Sequence, residues 1–124
     1  MQFAKVSQLF LLFSGLQHAC EYEDLIRGAM MQVQASMRCG ADADDIRLSY
    51  LAAAAANLRY RQILAARAAN LPAYAGDTAA HRSDSASCSL AQQLVTEYTA
   101  AAADLLRDDS FVFRTVGCRR EGCV

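Results

Sequence analysis

The sequence has no excess of charge of either sign, with 12 basic and 13 acidic residues among 124. A nearly balanced chain has no global field to steer it toward nucleic acid or acidic lipid, so a purely electrostatic nucleic-acid binder is not expected. Lysine is almost absent: Lys5 is the single one, and the other basic residues are arginines in an alanine-rich chain. This bias is typical of a GC-rich genome, so the abundance of arginine is weak evidence for phosphate binding.

The five cysteines lack any repeated spacing; they are Cys20, Cys39, Cys88, Cys118 and Cys123. An odd and scattered set disfavours a disulfide framework, and no C-x-x-C or C-x-x-H pair indicates zinc. A metal site assembled in space, for example from His18 and Cys20, is the alternative. We expect reduced, mostly packed thiols in a cytosolic setting, with no metal and no cofactor.

A long hydrophobic run is also missing. The apolar stretch at residues 9–13 is too short to span a bilayer, which needs about 20 apolar residues. It superficially resembles a signal-peptide core followed by a lipoprotein box at Cys20, but polar residues interrupt it and His18 is bulky beside the cut. We therefore predict a first short helix within residues 1–16, buried on most sides, and no membrane partner.

Apolar residues at helical spacing predict an all-α fold. The segment 21–38 has acidic residues in its first turn, where the helix dipole favours anions, and Gly40 after it as a left-handed stop. With a long helix and a final helix downstream, the expected architecture is a small helical bundle of about four helices, with a projecting loop and a short extended C-terminal segment. We expect residues 1–117 to form a single helical domain and residues 118–124 a flexible C-terminal tail.

The long helix is predicted over residues 43–70, with Asp42 as its cap. Its apolar positions form two displaced stripes, one of Leu48, Leu51, Ala55, Leu58 and Gln62, the other of Tyr60, Leu64, Ala68 and Leu71. Five consecutive alanines, 52–56, let neighbouring helices approach closely. Close packing within the bundle is the simpler interpretation of this run, and a subunit contact is the functional alternative. Its arginines are interpreted as a solvated face.

Pro72 opens a segment, 72–87, that we predict to be a projecting loop or hairpin, because it contains a Gly-Asp turn signal and then polar residues. Serine and aspartate residues occur there together with His81, and these are the three residue types of a hydrolase triad. A triad needs a rigid frame and an oxyanion hole, and nothing in the segment supplies them. With no other catalytic constellation in the chain, we do not expect an enzyme.

The last helix is predicted from an N-cap at Ser87 to about Arg107, with Leu90, Leu94, Tyr98, Ala101 and Leu105 packing on the long helix. The pattern then changes to Ser110-Phe111-Val112-Phe113-Arg114-Thr115-Val116, where phenylalanines alternate at strand spacing. Two phenylalanines in such a segment need other apolar side chains to cover them. Either the chain's own helices or another subunit could provide that cover, and the sequence does not decide between the two.

The order of these features resembles a family of small prophage proteins encoded among head and tail morphogenesis genes. The matching motifs are Ala41-Asp42-Ala43-Asp44-Asp45 before the long helix, Tyr74-Ala75-Gly76-Asp77 after it, and Asp108-Asp109-Ser110-Phe111-Val112-Phe113-Arg114 at the end. The likeness covers about residues 9–117. It departs at Thr115, where a glycine is expected, and in the polar segment after Asp77, where a more strand-like run is expected.

Such proteins are similar to the helical head-tail connector proteins of tailed bacteriophages, which form rings between portal and tail. The resemblance implies a structural protein that assembles with itself and with portal, capsid or tail proteins, in the host cytoplasm and then in the virion, with no sequence-specific nucleic acid. The expected subunit-contact residues are Tyr74, Gly76, Asp77, Phe111, Phe113 and Arg114. The alternative is a small cytosolic binding module, a chaperone or adaptor, that holds a partner helix in an alanine-lined groove.

Overall fold

A computed structural model describes residues 1–69 and 77–107, with the backbone alone for residue 69 and residues 77–85. Over these ranges the fold is all-α, as the sequence predicts. Four helices are joined with two short 3₁₀ turns, in the order α1 (Phe3–Ser14), turn Cys20–Tyr22, α2 (Glu23–Ser36), α3 (Ile46–Ala69), α4 (Asp77–Ala101) and turn Ala103–Leu105.

Helix α3 is the centre of the bundle, and α1, α2 and α4 all pack on it. Its alanine run is buried, since Ala52, Ala53, Ala54 and Ala56 have no exposed surface. Consecutive residues point in different directions around a helix, so burial of four of the five alanines means that α3 is covered on several sides. Because the side chain of alanine is a single methyl group, the surrounding helices can come close to α3. Packing within the bundle, the simpler interpretation of these alanines, is therefore confirmed.

Helix α1 buries one face, not most sides as predicted. Val6 and Phe10 are fully buried, whereas Leu12 on the other face is 72% exposed. The helix ends at Gly15, whose φ of 77° is the left-handed conformation that glycine adopts without strain. Both ends are held: the Met1 amine donates to the Ala43 carbonyl at 2.8 Å, and Arg61 Nη2 donates to the Ser14 carbonyl at 2.8 Å.

Two groups of three aromatic rings join the helices. Phe10, Tyr22 and Tyr60 have ring centroids 5.0 to 6.0 Å apart and connect α1, the first 3₁₀ turn and α3. Phe13, Tyr50 and Tyr98 lie 5.3 to 6.4 Å apart and connect α1, α3 and α4. Such pairs stabilise a fold by roughly 0.5–1.5 kcal/mol beyond the burial of their area. Burial, with Tyr22 alongside, raises the pKa of the Tyr60 hydroxyl.

Helix α2 ends at Ser36, two residues before its predicted end at residue 38. Met37 takes an extended conformation and forms an antiparallel bridge with Leu106. The Arg38 amide donates to the Leu105 carbonyl, and the Arg107 amide donates to the Ser36 carbonyl, each at 2.9 Å. A long-range contact of this kind leaves no periodic trace in a sequence. Gly40 has a φ of 83°, but it lies in the turn that follows.

The cap of α3 is Asp45, not Asp42. Asp45 Oδ1 accepts a hydrogen bond from the Arg47 amide at 2.9 Å, which is the bond of an N-cap residue to the second residue of the helix. Asp42 Oδ1 instead accepts from the Asp44 amide in the turn before it. Three aspartates within four residues are all suitable caps, so the sequence alone does not choose between them.

Helix α4 begins at Asp77, ten residues before the predicted cap at Ser87, so the prediction of a loop over 77–87 is wrong. Extending an existing helix fixes one residue for each hydrogen bond gained and needs no new nucleus. Residues 77–101 contain neither glycine nor proline to interrupt that extension. Polar composition therefore indicated the wrong structure for this stretch.

Part of the stripe predicted for the last helix packs on the bundle: the Tyr98 ring stacks on Tyr50 of α3, and Leu105 is buried. Leu90, by contrast, is 64% exposed and Ala101 is exposed, while Ala91 is buried. The helix stops at Ala101, earlier than the predicted end near Arg107. Ala91 has a small side chain, and small side chains at a contact let two helices lie close together.

The cysteines divide into two kinds. Cys20 and Cys88 are free thiols. Cys39 is disulfide-bonded, so the expectation of reduced thiols is wrong for this residue. Spacing along the chain does not report which cysteines the fold brings together.

Candidate interaction surface

An open groove lies between α2 and α4, with α3 as its floor. These two helices pack on α3 and not on each other over their described residues, so a channel is left between them. We call it the α2–α4 groove; its volume is about 940 Å³. It lies within the usual range for small-molecule pockets, but an elongated channel between helices is also the shape that accepts a peptide segment.

The floor of the groove is one of the two stripes predicted for the long helix. Leu51, Ala55, Leu58 and Gln62 line it, so the grouping of these four is confirmed, whereas the fifth predicted member, Leu48, is fully buried. Leu51 is nearly buried, Ala55 and Leu58 are half-buried, and Gln62 is exposed, so the floor becomes more accessible toward the C-terminal end of α3. The other stripe begins at Tyr60, which faces the Phe10 ring on a different side of the helix.

The walls are apolar within and polar at the rim. Helix α2 contributes Leu25, Gly28, Ala29 and Val33, and the α4 side contributes Val95, Ala103 and Leu106. A Cβ atom built on Gly28 would meet nothing within 4 Å, so the wall is open at that point. Charged groups at the rim are Asp24, Arg59 and Arg107.

The hydroxyl groups that line the groove are both engaged within their own helices. Ser36 Oγ donates to the Gln32 carbonyl at 3.0 Å, and Thr99 Oγ1 donates to the Val95 carbonyl at 2.6 Å. Neither stands beside a histidine among the described lining residues. What the groove offers chemically is apolar area with a charged rim, which is the character of a binding surface.

The last described residues of the chain form part of this groove. Leu106 and Arg107 line it, and the bridge to Met37 holds them against the end of α2. Arg107 Nη2 also donates to the Ala35 carbonyl at 2.8 Å. The Phe111–Arg114 motif follows four residues later in the sequence. The groove and the start of the C-terminal segment are therefore neighbours.

A charge network fixes the α4 side of the groove to the start of α3. Arg47 Nη2 lies 3.0 Å from Asp45 Oδ2 and its Nη1 lies 2.8 Å from Asp104 Oδ1. Arg47 Nη1 also donates to the Ala101 carbonyl at the end of α4, at 3.1 Å. The hydrogen bonds from Arg47 hold the pKa of Asp45 below its usual value and raise that of Arg47.

The predicted subunit-contact residues fall almost entirely outside the described ranges. Tyr74, Gly76, Phe111, Phe113 and Arg114 lie outside them, and Asp77 is described only as the first residue of α4. The structure therefore relates none of these side chains to the others. An alanine-lined groove was expected only under the alternative function and without assigned residues; the Leu51–Gln62 stripe and the small residues Gly28 and Ala29 were its signals.

Other kinds of site can be stated for the described residues only. No three histidine, cysteine or acidic side chains within 1–69 and 86–107 are grouped so as to hold a metal ion. No helix in the described part of the chain combines the length and the apolar character needed to cross a membrane.

Comparison with protein families, with curated proteins and with solved structures gives no match.

Proposed function

We propose that this protein is a structural component of the head-tail junction of a tailed bacteriophage, a connector or neck-type ring subunit that acts through protein–protein assembly. The α2–α4 groove carries the proposal, because it is an open apolar surface whose wall leads directly into the aromatic C-terminal segment. A subunit that presents both a receptor and an apolar arm can join identical copies head to tail, and such contacts close into rings.

The helical body suits this role. Helix α3 is buried along its alanine run and braced by two aromatic groups, so the groove is formed on a rigid frame. Burial of Phe111 and Phe113 in a groove would contribute roughly 3–6 kcal/mol per contact before the costs of association. That is modest for one contact and substantial when repeated around a closed ring. Assembly would occur in the host cytoplasm, with portal, capsid or tail proteins as further partners.

Size-exclusion chromatography with light scattering tests the proposal on the full chain, alone and with portal protein present. We expect higher oligomers for the native chain and for Gly28→Ala. Gly28→Leu places a large side chain in the groove where a Cβ meets no neighbour, so it should keep the native helicity and lose the oligomers. Phe111→Ser with Phe113→Ser should do the same.

If the double phenylalanine variant unfolds as a monomer, those rings belong to the core. If the native chain never exceeds a dimer in any of these mixtures, it is not a ring subunit.

A second candidate is a small helical binding module that holds a partner helix in the same groove. The small residues Gly28, Ala29 and Ala55 along the groove favour it, because they let a helix approach closely. Here the protein would stay monomeric or dimeric, and Gly28→Leu would abolish capture of the partner while leaving the oligomeric state unchanged.

A further inference from the structure

The last described residues of the chain run beside the end of α2. As the chain passes from Leu105 to Arg107, its backbone contacts step back from Arg38 to Ser36, and the Arg107 side chain reaches Ala35. These residues thus run toward the body of α2. Helix α2 forms one wall of the groove over its whole length, from Asp24 to Ser36.

The reach of the segment matches the groove. The wall from Ser36 to Asp24 spans twelve residues, about 18 Å at the helical rise of 1.5 Å per residue. An extended chain covers at most about 3.3–3.6 Å per residue, so Phe111 comes about 13 Å from Arg107 and Phe113 about 20 Å. An extended segment is therefore long enough for both phenylalanines to reach the groove.

The chemistry of the segment matches as well. Its phenylalanines suit the apolar floor formed by Leu51, Ala55 and Leu58. Asp108 and Asp109 directly follow Arg107 in the sequence. Arg114 would arrive near Asp24, the acidic group at the other end of the rim. An apolar centre, together with rim charges that are opposite to those of the bound segment, orients that segment in a groove.

We infer that, before assembly, residues 111–116 of this same chain lie in the α2–α4 groove, with Phe111 and Phe113 on its floor. The inference rests on the proposed function only in that assembly would then exchange the segment between neighbours. Exchange of an identical element between copies is a low-cost route to oligomers. A groove filled by its own segment also keeps the free subunit from associating.

Photo-crosslinking of the full chain tests this inference. The variant Phe113→p-benzoylphenylalanine is prepared with ¹⁴N and with ¹⁵N, and the two are mixed in equal amounts. The mixture is irradiated at a concentration where light scattering shows a monomer, and the products are digested for mass spectrometry. We expect crosslinks within one isotope to peptides that contain Leu25, Leu58 or Val95. Leu12→p-benzoylphenylalanine, on an exposed part of α1, is the matched control and should give no groove crosslinks.

Mixed-isotope crosslinks to the groove would overturn the inference in favour of a second copy. Crosslinks that avoid the groove peptides, or that match the Leu12 control, would overturn it as well and leave the groove for another partner. A failure of ring formation does not affect this readout, because the crosslinks are made in the monomer. The two proposals can therefore fail separately.

Discussion

The backbone amide of Arg107 donates to the carbonyl of Ser36 at 2.9 Å, and this pairing sets the end of α2 and the start of the C-terminal segment at one place. Without it, α2 would be free to continue toward Gly40, as its sequence pattern predicts. With it, Leu106 and Arg107 become part of the groove wall. This one backbone contact thus positions both a wall of the α2–α4 groove and the residue after which the C-terminal segment begins.

The alanine run should not accept larger side chains. Ala53 has no exposed surface, so Ala53→Leu inserts three carbon atoms where helices already meet. Overpacking of this kind typically costs about 1–3 kcal/mol. Urea denaturation followed by circular dichroism measures it. Ala66→Leu, at an exposed position of the same helix, is the control and should change the free energy of unfolding by less than about 0.5 kcal/mol. Equal effects at both positions would argue against a buried run.

Helix α1 should be part of the cooperative core. Phe10 is fully buried and contacts the Tyr22 and Tyr60 rings, so Phe10→Ala should lower the free energy of unfolding by about 3–5 kcal/mol. Leu12→Ala, two residues away and 72% exposed, should have little effect. Thermal unfolding of both variants gives the comparison. A Phe10→Ala variant as stable as the native chain would mean that α1 is dispensable to the fold.

The sequence predicts well what depends on local periodicity and poorly what depends on distant contacts. The helical class, the central helix and the Leu51–Gln62 stripe follow from apolar spacing. The end of α2 at Ser36 does not, because Leu106 determines it from 70 residues away. The start of α4 at Asp77 was missed because polar composition was taken as a sign of a loop. The groove itself arises from the separation of α2 and α4, which no single segment encodes.

The cysteine partner of Cys39 can be identified chemically. Cys20 and Cys88 are free, so a bond within the chain leaves Cys118 and Cys123, which lie outside the described residues. We predict that a non-reducing digest analysed by mass spectrometry links the Cys39 peptide to the C-terminal peptide. Cys39→Ser should lower stability by about 2–5 kcal/mol under oxidising conditions. Reductant should remove the difference between the two proteins; a difference that persists in reductant would assign the effect to packing at position 39.

Two contributions of Asp45 to stability, its capping hydrogen bond and its negative charge, can be measured separately. Asp45→Ala removes the acceptor for the Arg47 amide and should cost about 1 kcal/mol. Asp45→Asn keeps an acceptor and loses only the carboxylate, so it should cost less. Urea midpoints at pH 7 measure both. Equal losses in the two variants would show that the charge, not the cap, provides the stability.

Acid should weaken the contribution of the same carboxylate. The hydrogen bonds from Arg47 hold the pKa of Asp45 below its ordinary value of 3.8. A carboxyl group with a lower pKa in the folded state stabilises the fold above its unfolded pKa, and this contribution is lost as the pH falls through the folded value. The stability difference between the native chain and Asp45→Asn should therefore be constant from pH 7 to about 5 and shrink below about pH 4. A difference independent of pH would contradict this origin.

Gly28 should be replaceable by alanine with a gain in stability. It lies inside α2, and a Cβ atom there would meet nothing within 4 Å. Alanine loses less backbone entropy than glycine in a helix, so Gly28→Ala should raise the free energy of unfolding by about 0.5–1 kcal/mol. Gly15→Ala is the opposite case, because a φ of 77° strains any residue with a Cβ atom, and it should be destabilising. Thermal unfolding compares them. Destabilisation by Gly28→Ala would show that the wall has no room for a methyl group at this point.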